Sequence, residues 1–343
     1  MAQYTLPPEW YRQSGIQLTW PHSDTDWRYI LDEVEECYIN VAREISAREK
    51  LIVVTPHPNE VKNRLTGNTK IENIRFFKCN SNDTWARDHG GITVYDTEIG
   101  GQCILDFGFN GWGRKFEATM DNEITATCYK RGAFNAYYKD MTNFILEGGS
   151  IECDGNGSLM TTVRCLMSEF RNPMLGKEEI ENVLKDSFGV QNIIWILNGY
   201  LAGDDTDSHI DTLARFCPNN TIVYVKCNDR NDEHYDELNK MEQELVAAVN
   251  VERKPYNLIA LPMVDPVFFD GERLPASYAN FLIINGAILY PTYAQPENDC
   301  KAAHELKKAF PGYEIIGINS SPLIKQHGSL HCITMQYPEG VLR

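Results

Sequence analysis

The sequence feature that most constrains the fold is an alternation of amphipathic helical patterns with short apolar runs. Between positions 26 and 50, apolar side chains recur every three or four residues, which predicts an amphipathic helix. These side chains are Ile30, Val34, Cys37, Val41 and Ile45. The apolar run at positions 51–55 follows at once and predicts a buried strand. We therefore expect a sheet with helices packed against it.

The same alternation continues through the rest of the chain. Predicted strands lie at 193–197, 221–225, 258–263, 281–290 and 314–318. Predicted helices lie at 177–188, 232–249 and 299–310. This order is typical of the α/β class. A length of 343 residues would favour two domains at roughly 150 residues each. However, no low-complexity linker divides the chain, and we predict one domain over residues 1–343.

Five polar residues in loops or at strand ends are spaced almost evenly along the chain. Asp88, Glu147, His209, Asn280 and Cys332 are separated by 59, 62, 71 and 52 residues. Loops held by a rigid scaffold often carry functional side chains. The spacing suggests five similar modules, although their sequences share only short echoes.

Composition narrows the class of partner. The formal net charge of −16 disfavours nucleic acids and anionic membranes, because both require a basic protein face. No run approaches about 18 apolar residues, so we expect no membrane span. The first eight residues lack the pattern of a secretory signal. An acidic protein of this kind suits a cationic ligand.

The cysteine pattern argues against a metal centre. Ten cysteines occur at irregular spacing and include no Cys-x-x-Cys pair. We therefore expect neither a metal nor another cofactor. Mostly buried free thiols in a reducing cytoplasm are the expected state.

Four segments carry candidate chemistry. In chain order they are Trp85-Ala86-Arg87-Asp88, Glu147-Gly148-Gly149-Ser150-Ile151, Gly203-Asp204-Asp205-Thr206-Asp207-Ser208-His209-Ile210-Asp211 and His331-Cys332-Ile333-Thr334. A thiol nucleophile needs a nearby base, and the base needs an orienting group. Taken singly, each segment also has a structural explanation: core packing for Cys332, a capping role for His209, and a solvated loop for the acidic run.

In this order, the four segments resemble the agmatine deiminase family of guanidino-group-modifying enzymes. The resemblance covers nearly the whole chain, from Pro8-Glu9-Trp10 to Ser277-Tyr278-Ala279-Asn280-Phe281. It implies a pentein fold, which is a fivefold pseudosymmetric α/β propeller of ββαβ-type modules around a central active site. It also implies that Asp88 and Asp211 are the family's two guanidinium-binding aspartates.

Chemistry argued from the residue types agrees with that implication. A guanidinium is planar and always charged, so carboxylates hold it by bidentate hydrogen bonds and can fix its carbon before a nucleophile. We expect Cys332 to attack that carbon and His209 to protonate the departing ammonia and later activate water. Glu147 would accept a hydrogen bond from His209 and orient its ring.

The substrate is less strongly specified than the reaction. Trp85 and Trp112 are candidates to cover the cation or its aliphatic chain, or they are simply core. The acidic balance leans towards agmatine, whose distal group is an ammonium. Three positions depart from the family pattern beside the site: the segment His327-Gly328-Ser329-Leu330, Glu152 and Ser158. These departures bear on substrate preference.

Other functions remain open at this point. Hydrolysis of another guanidine, such as free or modified arginine, is the main alternative, and amidino transfer to an acceptor amine is a further one. A pentein-fold binding protein without catalysis would be expected to lack the thiol. A papain-like protease is disfavoured because its cysteine would precede its histidine. A homo-oligomer is left open.

Overall fold

The computed structural model describes residues 3–343, which form a mixed α/β structure. Its strands β1 to β19 are, in chain order, Tyr4–Thr5, Gln13–Thr19, Lys50–Thr55, Ile74–Lys78, Ile92–Asp96, Gly101–Gly108, Tyr137–Ile145, Ile151–Cys153, Ser158–Thr162, Asn192–Ile196, Ala214–Cys217, Thr221–Lys226, Asn257–Pro262, Phe268–Phe269, Glu272–Arg273, Leu282–Ile284, Ala287–Thr292, Glu314–Asn319 and Thr334–Pro338. Its helices α1 to α10 are Leu31–Arg48, Pro58–Leu65, Ala86–His89, Gly111–Arg114, Ile124–Lys130, Val163–Leu166, Lys177–Phe188, Tyr235–Ala247, Pro296–Ala309 and Ser321–Ile324. Short 3-10 helices lie at Asp26–Ile30, Ile71–Asn73, Asp121–Glu123, Gly148–Ser150 and Ile210–Thr212.

Seventeen of the strands form five sheets of three or four strands, and these five sheets share one local topology; β14 and β15 form a separate two-stranded sheet. In each, an antiparallel pair is followed by a helix and by a third strand parallel to its neighbour. The five ββαβ modules are β19-β2-α1-β3, β5-β6-α5-β7, β8-β9-α7-β10, β11-β12-α8-β13 and β16-β17-α9-β18. Strand β4 extends the first sheet and β1 extends the second. The suggested repetition of five modules is therefore present in the backbone.

The first module joins the two ends of the chain. Strand β19 pairs antiparallel with β2, from Thr334 opposite Leu18 to Pro338 opposite Gln13. Strand β2 then pairs parallel with β3. A single sheet thus contains strands separated by more than 300 positions, and it holds the segment that carries Cys332 against the N-terminal part of the fold.

Helix α1 shows why the sequence pattern builds this module. The predicted apolar stripe of residues 26–50 is buried, and it packs with apolar side chains of β2 and β3 in one core cluster. The first five predicted residues form a 3-10 helix before α1 begins. Two further core clusters fill the remaining modules. Burial of an apolar face against a sheet supplies the main driving force for each module.

Most predicted elements agree with the structure, but the single strand at 281–290 is wrong. The chain there forms two antiparallel strands, β16 and β17, joined at Asn285-Gly286. Gly286 has a φ of +79°, which suits glycine in a tight hairpin turn. The apolar run continues through this turn because both strands are buried on both faces. Within residues 3–343, no helix has the length and apolar character required to cross a membrane.

Candidate active site

The predicted site residues lie on connections between the modules. Asp88 is in the short helix α3, and Glu147 follows β7. His209 caps the 3-10 helix that contains Asp211, and Cys332 lies two residues before β19. All five side chains are buried. The loops therefore bring residues from four remote segments into one interior region.

Gly149 shows how closely three of these side chains approach one another. A Cβ atom at this position would lie 2.7 Å from His209 Nδ1, 2.9 Å from Asp88 Oδ1 and 3.1 Å from Asp211 Oδ2. These separations leave no room for a side chain, so glycine permits the close approach. The amide of Gly149 donates to Asp88 Oδ1 at 3.1 Å. The segment after Glu147 thus both orients an aspartate and leaves space beside the histidine.

Asp88 is a buried carboxylate with fixed orientation. Its Oδ2 accepts a hydrogen bond from Trp112 Nε1 at 2.9 Å. Its Oδ1 lies 3.6 Å from His209 Nδ1. Burial raises the pKa of Asp88 to about 6, while the His209 charge opposes the rise and the Asp211 charge adds to it. A cation bound beside Asp88 would stabilise its ionised form.

Only one of the two carboxylate oxygens of Asp211 has a hydrogen-bond partner within residues 3–343. His331 Nδ1 lies 2.7 Å from Asp211 Oδ2. Asp211 Oδ1 is buried and has no hydrogen-bond partner among residues 3–343. Burial acts to raise the pKa of Asp211, but the hydrogen bond and positive charge of His331, with the charge of His209, lower it overall. Asp211 is therefore an ionised carboxylate with one oxygen free to accept a ligand's N–H group.

His209 is surrounded by negative charge. Neither ring nitrogen has a hydrogen-bond partner in the described part of the chain. Burial opposes protonation, yet Asp88, the Cys165 sulfur and Glu147 together raise the pKa of His209 well above its usual value. The ring is thus a protonated acid with both N–H groups available to a ligand or a water molecule.

Glu147 is oriented by an arginine and does not form the predicted hydrogen bond to His209. Both carboxylate oxygens of Glu147 accept from Arg171 Nε at 2.9 Å. Arg171 also donates to Asp207 Oδ2 at 2.6 Å and to the carbonyl of Thr206 at 2.9 Å. Arg171 therefore ties Glu147 to the loop that carries His209, and Glu147 acts on the ring through its charge.

Three side chains in this region have the ligand types and spacing of a metal site: Glu147, Cys165 and His209. One ligand atom from each lies within 4.8 Å of the other two. The guanidinium of Arg171 already occupies both oxygens of Glu147, and its positive charge disfavours a second cation at that position. The arrangement suits a structural and electrostatic role for this group better than metal binding.

Cys332 is a buried thiol in the same region. Its Sγ lies 3.3 Å from Asn280 Oδ1, which also accepts from the backbone amide of His331 at 2.9 Å. Burial raises the pKa of Cys332 well above its usual value, and the negative charges of Asp211 and Asp88 raise it further. The free protein therefore holds Cys332 as a neutral thiol, and a nearby cation is needed to favour the thiolate.

A cleft of about 540 Å³ opens onto Cys332 and Asp88. Its described lining includes three further acidic residues, Asp26, Asp83 and Asp205, and no lysine or arginine. Burial raises the pKa of Asp83 and of Asp205 to about 6 each. Together with Asp88, four aspartates therefore line this cleft.

Trp85 and Trp112 both line this cleft. Trp112 has a φ of +54° and donates to Asp88, so its indole fixes that carboxylate. The ring of Trp85 lies so close to Gly328 that a Cβ atom there would overlap it. Both rings also pack into the core cluster that contains Cys332. Each tryptophan is thus a wall of the cleft and a part of the core.

Comparison with known proteins identifies the family. The family model of the Porphyromonas-type peptidyl-arginine deiminases matches residues 5–338. The chain belongs to this family. A curated relative from Marinomonas sp., provisionally named agmatine deiminase, is 32% identical over 98% of this chain and 95% of its own length. The resemblance stated from the motifs is thereby confirmed over nearly the entire chain.

Solved structures agree with this membership of the deiminase family. A Porphyromonas gingivalis protein, provisionally named arginine deiminase, has a TM-score of 0.94 at 48% identity, covering 99% of this chain and 100% of that one. A cysteine-to-serine variant of C. jejuni agmatine deiminase with substrate bound has a TM-score of 0.91 at 39% identity, covering 99% and 97%. This chain shares their mixed α/β fold.

The departures from the family pattern have clear structural roles. His327 has a φ of +65°, and its Nδ1 lies 2.7 Å from the carbonyl oxygen of Gly203. The Ser329 hydroxyl lies 2.8 Å from the hydroxyl of Tyr293, and Leu330 is fully buried. The segment before Cys332 is therefore anchored to the loop that carries His209 and to the core.

Glu152 and Ser158 lie away from the cleft. Glu152 pairs with the buried Arg215 and accepts from the amide of Phe216 at 3.0 Å. The amide of Ser158 donates to Asp154 at 2.9 Å within a turn. Neither residue lines the cleft.

Sequence reasoning did not assign three groups that the structure places at the site. Arg171 holds Glu147, Asn280 contacts the Cys332 thiol, and Cys165 lies beside His209. The even spacing of polar anchors pointed to Asn280 without giving it a role. No local pattern marks Arg171 or Cys165, since their partners come from other segments.

Proposed function

We propose that this protein hydrolyses the guanidinium group of agmatine, giving N-carbamoylputrescine and ammonia through a covalent intermediate on Cys332. The observation that carries the proposal is a set of buried polar atoms without hydrogen bonds in the region of the Cys332 thiol. Asp211 Oδ1 and both ring nitrogens of His209 have no hydrogen-bond partner within residues 3–343, and the charges of Asp211 and Asp88 act on Cys332. Buried polar groups of this kind are satisfied by a ligand or by water.

Asp88 and Asp211 are the proposed guanidinium clamp. Two carboxylates beside one another repel, and a planar cation with several N–H donors relieves that repulsion. The clamp would set the guanidinium carbon before Cys332 Sγ. Positioning of this kind contributes about 7–11 kcal/mol to lowering a reaction barrier.

The first chemical step forms a carbon–sulfur bond and breaks a carbon–nitrogen bond. Cys332 Sγ attacks the guanidinium carbon, and the clamped cation favours loss of the thiol proton. The thiol proton and the proton of His209 both pass to the departing nitrogen, so ammonium leaves, and a thiouronium cation and a neutral His209 remain. Glu147 and Asp88 stabilise the positive charge on His209 before this transfer.

The second step returns the enzyme to its starting state. Neutral His209 accepts a proton from the water molecule that attacks the thiouronium carbon, and the carbon–sulfur bond breaks as the ureido product forms. The other water proton restores the Cys332 thiol, and His209 is again protonated. Atoms and charge balance across both steps without any cofactor.

The lining of the cleft favours agmatine over arginine. Asp26, Asp83 and Asp205 line the cleft, whose described residues include no lysine or arginine. The distal ammonium of agmatine is attracted to this surface, whereas the α-carboxylate of arginine is repelled by it. Trp85 and Trp112 would contact the aliphatic chain and the cation.

The wider assignments belong to the same proposal. We infer that the five ββαβ modules form a fivefold pseudosymmetric propeller within one catalytic domain of residues 1–343. The pairing of β19 with β2 supports this arrangement, because it joins the last module to the first. The ten cysteines are free, which suits a reducing cytoplasm, where the product would enter putrescine formation.

A direct assay tests the proposal. The purified protein is incubated with agmatine and, separately, with arginine, and both ammonia and the ureido product are measured. We expect turnover of agmatine by the wild-type protein and none by Cys332→Ser. Turnover of arginine alone would keep the chemistry and overturn the substrate. Activity that survives in Cys332→Ser would overturn the mechanism.

A further inference from the structure

A continuous set of buried polar contacts joins the N-terminal segment to Asp211. His331 Nδ1 lies 2.7 Å from Asp211 Oδ2, and His331 Nε2 lies 2.9 Å from Glu9 Oε1. Arg215 Nη2 lies 3.1 Å from the same Nε2 and also donates to Glu9 Oε2. Arg87 Nη2 lies 3.2 Å from Glu9 Oε1. One histidine therefore separates Asp211 from a three-membered ionic cluster of Glu9, Arg87 and Arg215.

The charged side chains of this cluster are buried, and their burial without good pairing would lower the stability of the fold. The side chains of Arg215 and His331 are 0% and 2% exposed, and that of Glu9 is 10% exposed. Buried charges destabilise a fold unless they are paired with good geometry. Glu9 lies in an irregular segment after Pro7-Pro8, where no sheet ladder requires it. Its carboxylate accepts from both arginines, and the cluster lies directly behind the clamp.

The contacts of His331 fix the proton on Nδ1. A carboxylate only accepts, so Nδ1 must carry the proton that faces Asp211. Nε2 faces both an acceptor, Glu9 Oε1 at 2.9 Å, and a donor, Arg215 Nη2 at 3.1 Å, and these two groups hold that side of the ring. Burial and the charges of Arg215 and Arg87 lower the pKa of His331. Asp211 thus receives one fixed N–H group on Oδ2, while Oδ1 stays free.

We propose that His331, held in place by Glu9 and Arg215, is a positioning residue that orients Asp211 to receive the substrate guanidinium. The N-terminal segment thereby becomes part of the substrate-binding apparatus, although Glu9 itself does not line the cleft that opens onto Cys332. This inference rests on the proposed function, because it requires Asp211 to bind a guanidinium.

Two substitutions at one position separate positioning from general structural support. The amide nitrogen of asparagine takes the place of His331 Nδ1, whereas that of glutamine takes the place of Nε2. His331→Asn therefore keeps the donor to Asp211, and His331→Gln removes it. We expect His331→Gln to raise KM for the active guanidine about 10-fold to 100-fold, the loss associated with a hydrogen bond to a charged group. We expect His331→Asn to raise it less than about 5-fold.

Chemical rescue provides a second test at Glu9. A cavity of about 60 Å³ borders Glu9, Arg87 and His331, and removal of the Glu9 carboxylate enlarges it, so it can admit formate. Glu9→Ala should raise KM, and added formate should lower it again at least about 3-fold. The matched control is Glu35→Ala, which removes a buried carboxylate that accepts from Trp20 Nε1 at 3.0 Å, far from the cleft. Formate should leave the KM of that variant unchanged.

The outcomes are distinguishable from failure of the proposed function. A wild-type protein inactive on every guanidine would overturn the proposed function itself. An active wild-type protein whose KM rises equally in His331→Asn and His331→Gln would overturn only the positioning role. If His331→Gln does not fold, the formate test decides, and absence of rescue in Glu9→Ala refutes the inference.

Discussion

Replacement of Trp112 by phenylalanine tests whether the orientation and ionisation of Asp88 limit binding. The indole N–H of Trp112 donates to Asp88 Oδ2 at 2.9 Å, and this donor is lost in Trp112→Phe. The phenyl ring retains edge-to-face packing against Phe109 and Phe116, whose ring centroids lie 5.0 and 5.6 Å away. The substitution therefore removes one hydrogen bond to a buried carboxylate and little else.

The size of the effect follows from the type of bond. A hydrogen bond to a charged group contributes about 1.5–3 kcal/mol. At 1.36 kcal/mol for each factor of ten, kcat/KM should fall by about 13-fold to 160-fold. The pH dependence of kcat/KM should shift as well. The hydrogen bond from Trp112 lowers the pKa of Asp88, which is about 6 with that bond in place.

The direction of the pH effect follows from the charge of Asp88, because a cationic substrate requires the ionised carboxylate. Substrate binds the ionised carboxylate, so kcat/KM of the wild-type protein should decrease as the pH falls through about 6, the pKa of Asp88. In Trp112→Phe that pKa rises, and the acidic limb should move to higher pH. The ammonia-release assay between pH 5 and 9 measures both quantities.

Trp85→Phe is the matched control for this experiment. Trp85 lines the same cleft and is equally buried, but its hydrogen-bonding partner is Asp83 and not Asp88. It should leave the acidic limb in place. An unchanged limb in Trp112→Phe, or equal displacement in both variants, would refute the assignment of Asp88 as the carboxylate that limits binding.

Three further predictions concern the interior of the site. Gly149→Ala should lower kcat/KM at least about 100-fold in the ammonia assay, because the added Cβ would lie 2.7 Å from a ring nitrogen of His209, the proposed acid. Arg171→Met should lower the free energy of unfolding by about 3–5 kcal/mol in urea denaturation, since it leaves a buried carboxylate unpaired. Lys185→Met, which breaks a partly exposed pair, should cost only about 0–1 kcal/mol. Iodoacetamide at pH 8 should alkylate Cys332 far more slowly than the exposed Cys300, as read by peptide mass spectrometry, because its thiol is neutral. Rapid labelling of Cys332 would contradict the raised pKa.

The extent to which the sequence predicts this fold depends on local signals. Helix α7 agrees with its predicted bounds of 177–188, since a periodic apolar face lies between two glycines, Gly176 at the N-cap and Gly189 in the left-handed conformation at the C-cap. The hairpin of β16 and β17 was predicted as one strand because its apolar pattern continues through Asn285-Gly286. A two-residue turn changes chain direction without changing hydrophobicity, so only the Asn-Gly dipeptide marked it.

The site divides in the same way between local and remote information. Asp88, His209 and Cys332 stand in recognisable motifs, and the structure brings them together. The pairing of Arg171 with Glu147 follows from how two loops meet, and nothing in either loop specifies it. The contact between Glu9 and His331 spans 322 positions and depends on closure of the first module. Such contacts are set by the assembly of modules and not by sequence pattern.

The electrostatics of the free site explain why the proposed reaction would begin only when a guanidinium is bound. Burial and the charges of Asp211 and Asp88 keep Cys332 as a thiol, and the charges of Asp88 and Glu147 keep His209 protonated. A thiol and an imidazolium do not react with each other or with small electrophiles at an appreciable rate. A guanidinium between Asp88 and Asp211 compensates both negative charges, and it thereby removes the main obstacle to a thiolate while leaving the acid in place. The substrate itself would thus supply the charge that activates the nucleophile, and a neutral ligand of the same shape should bind without reacting.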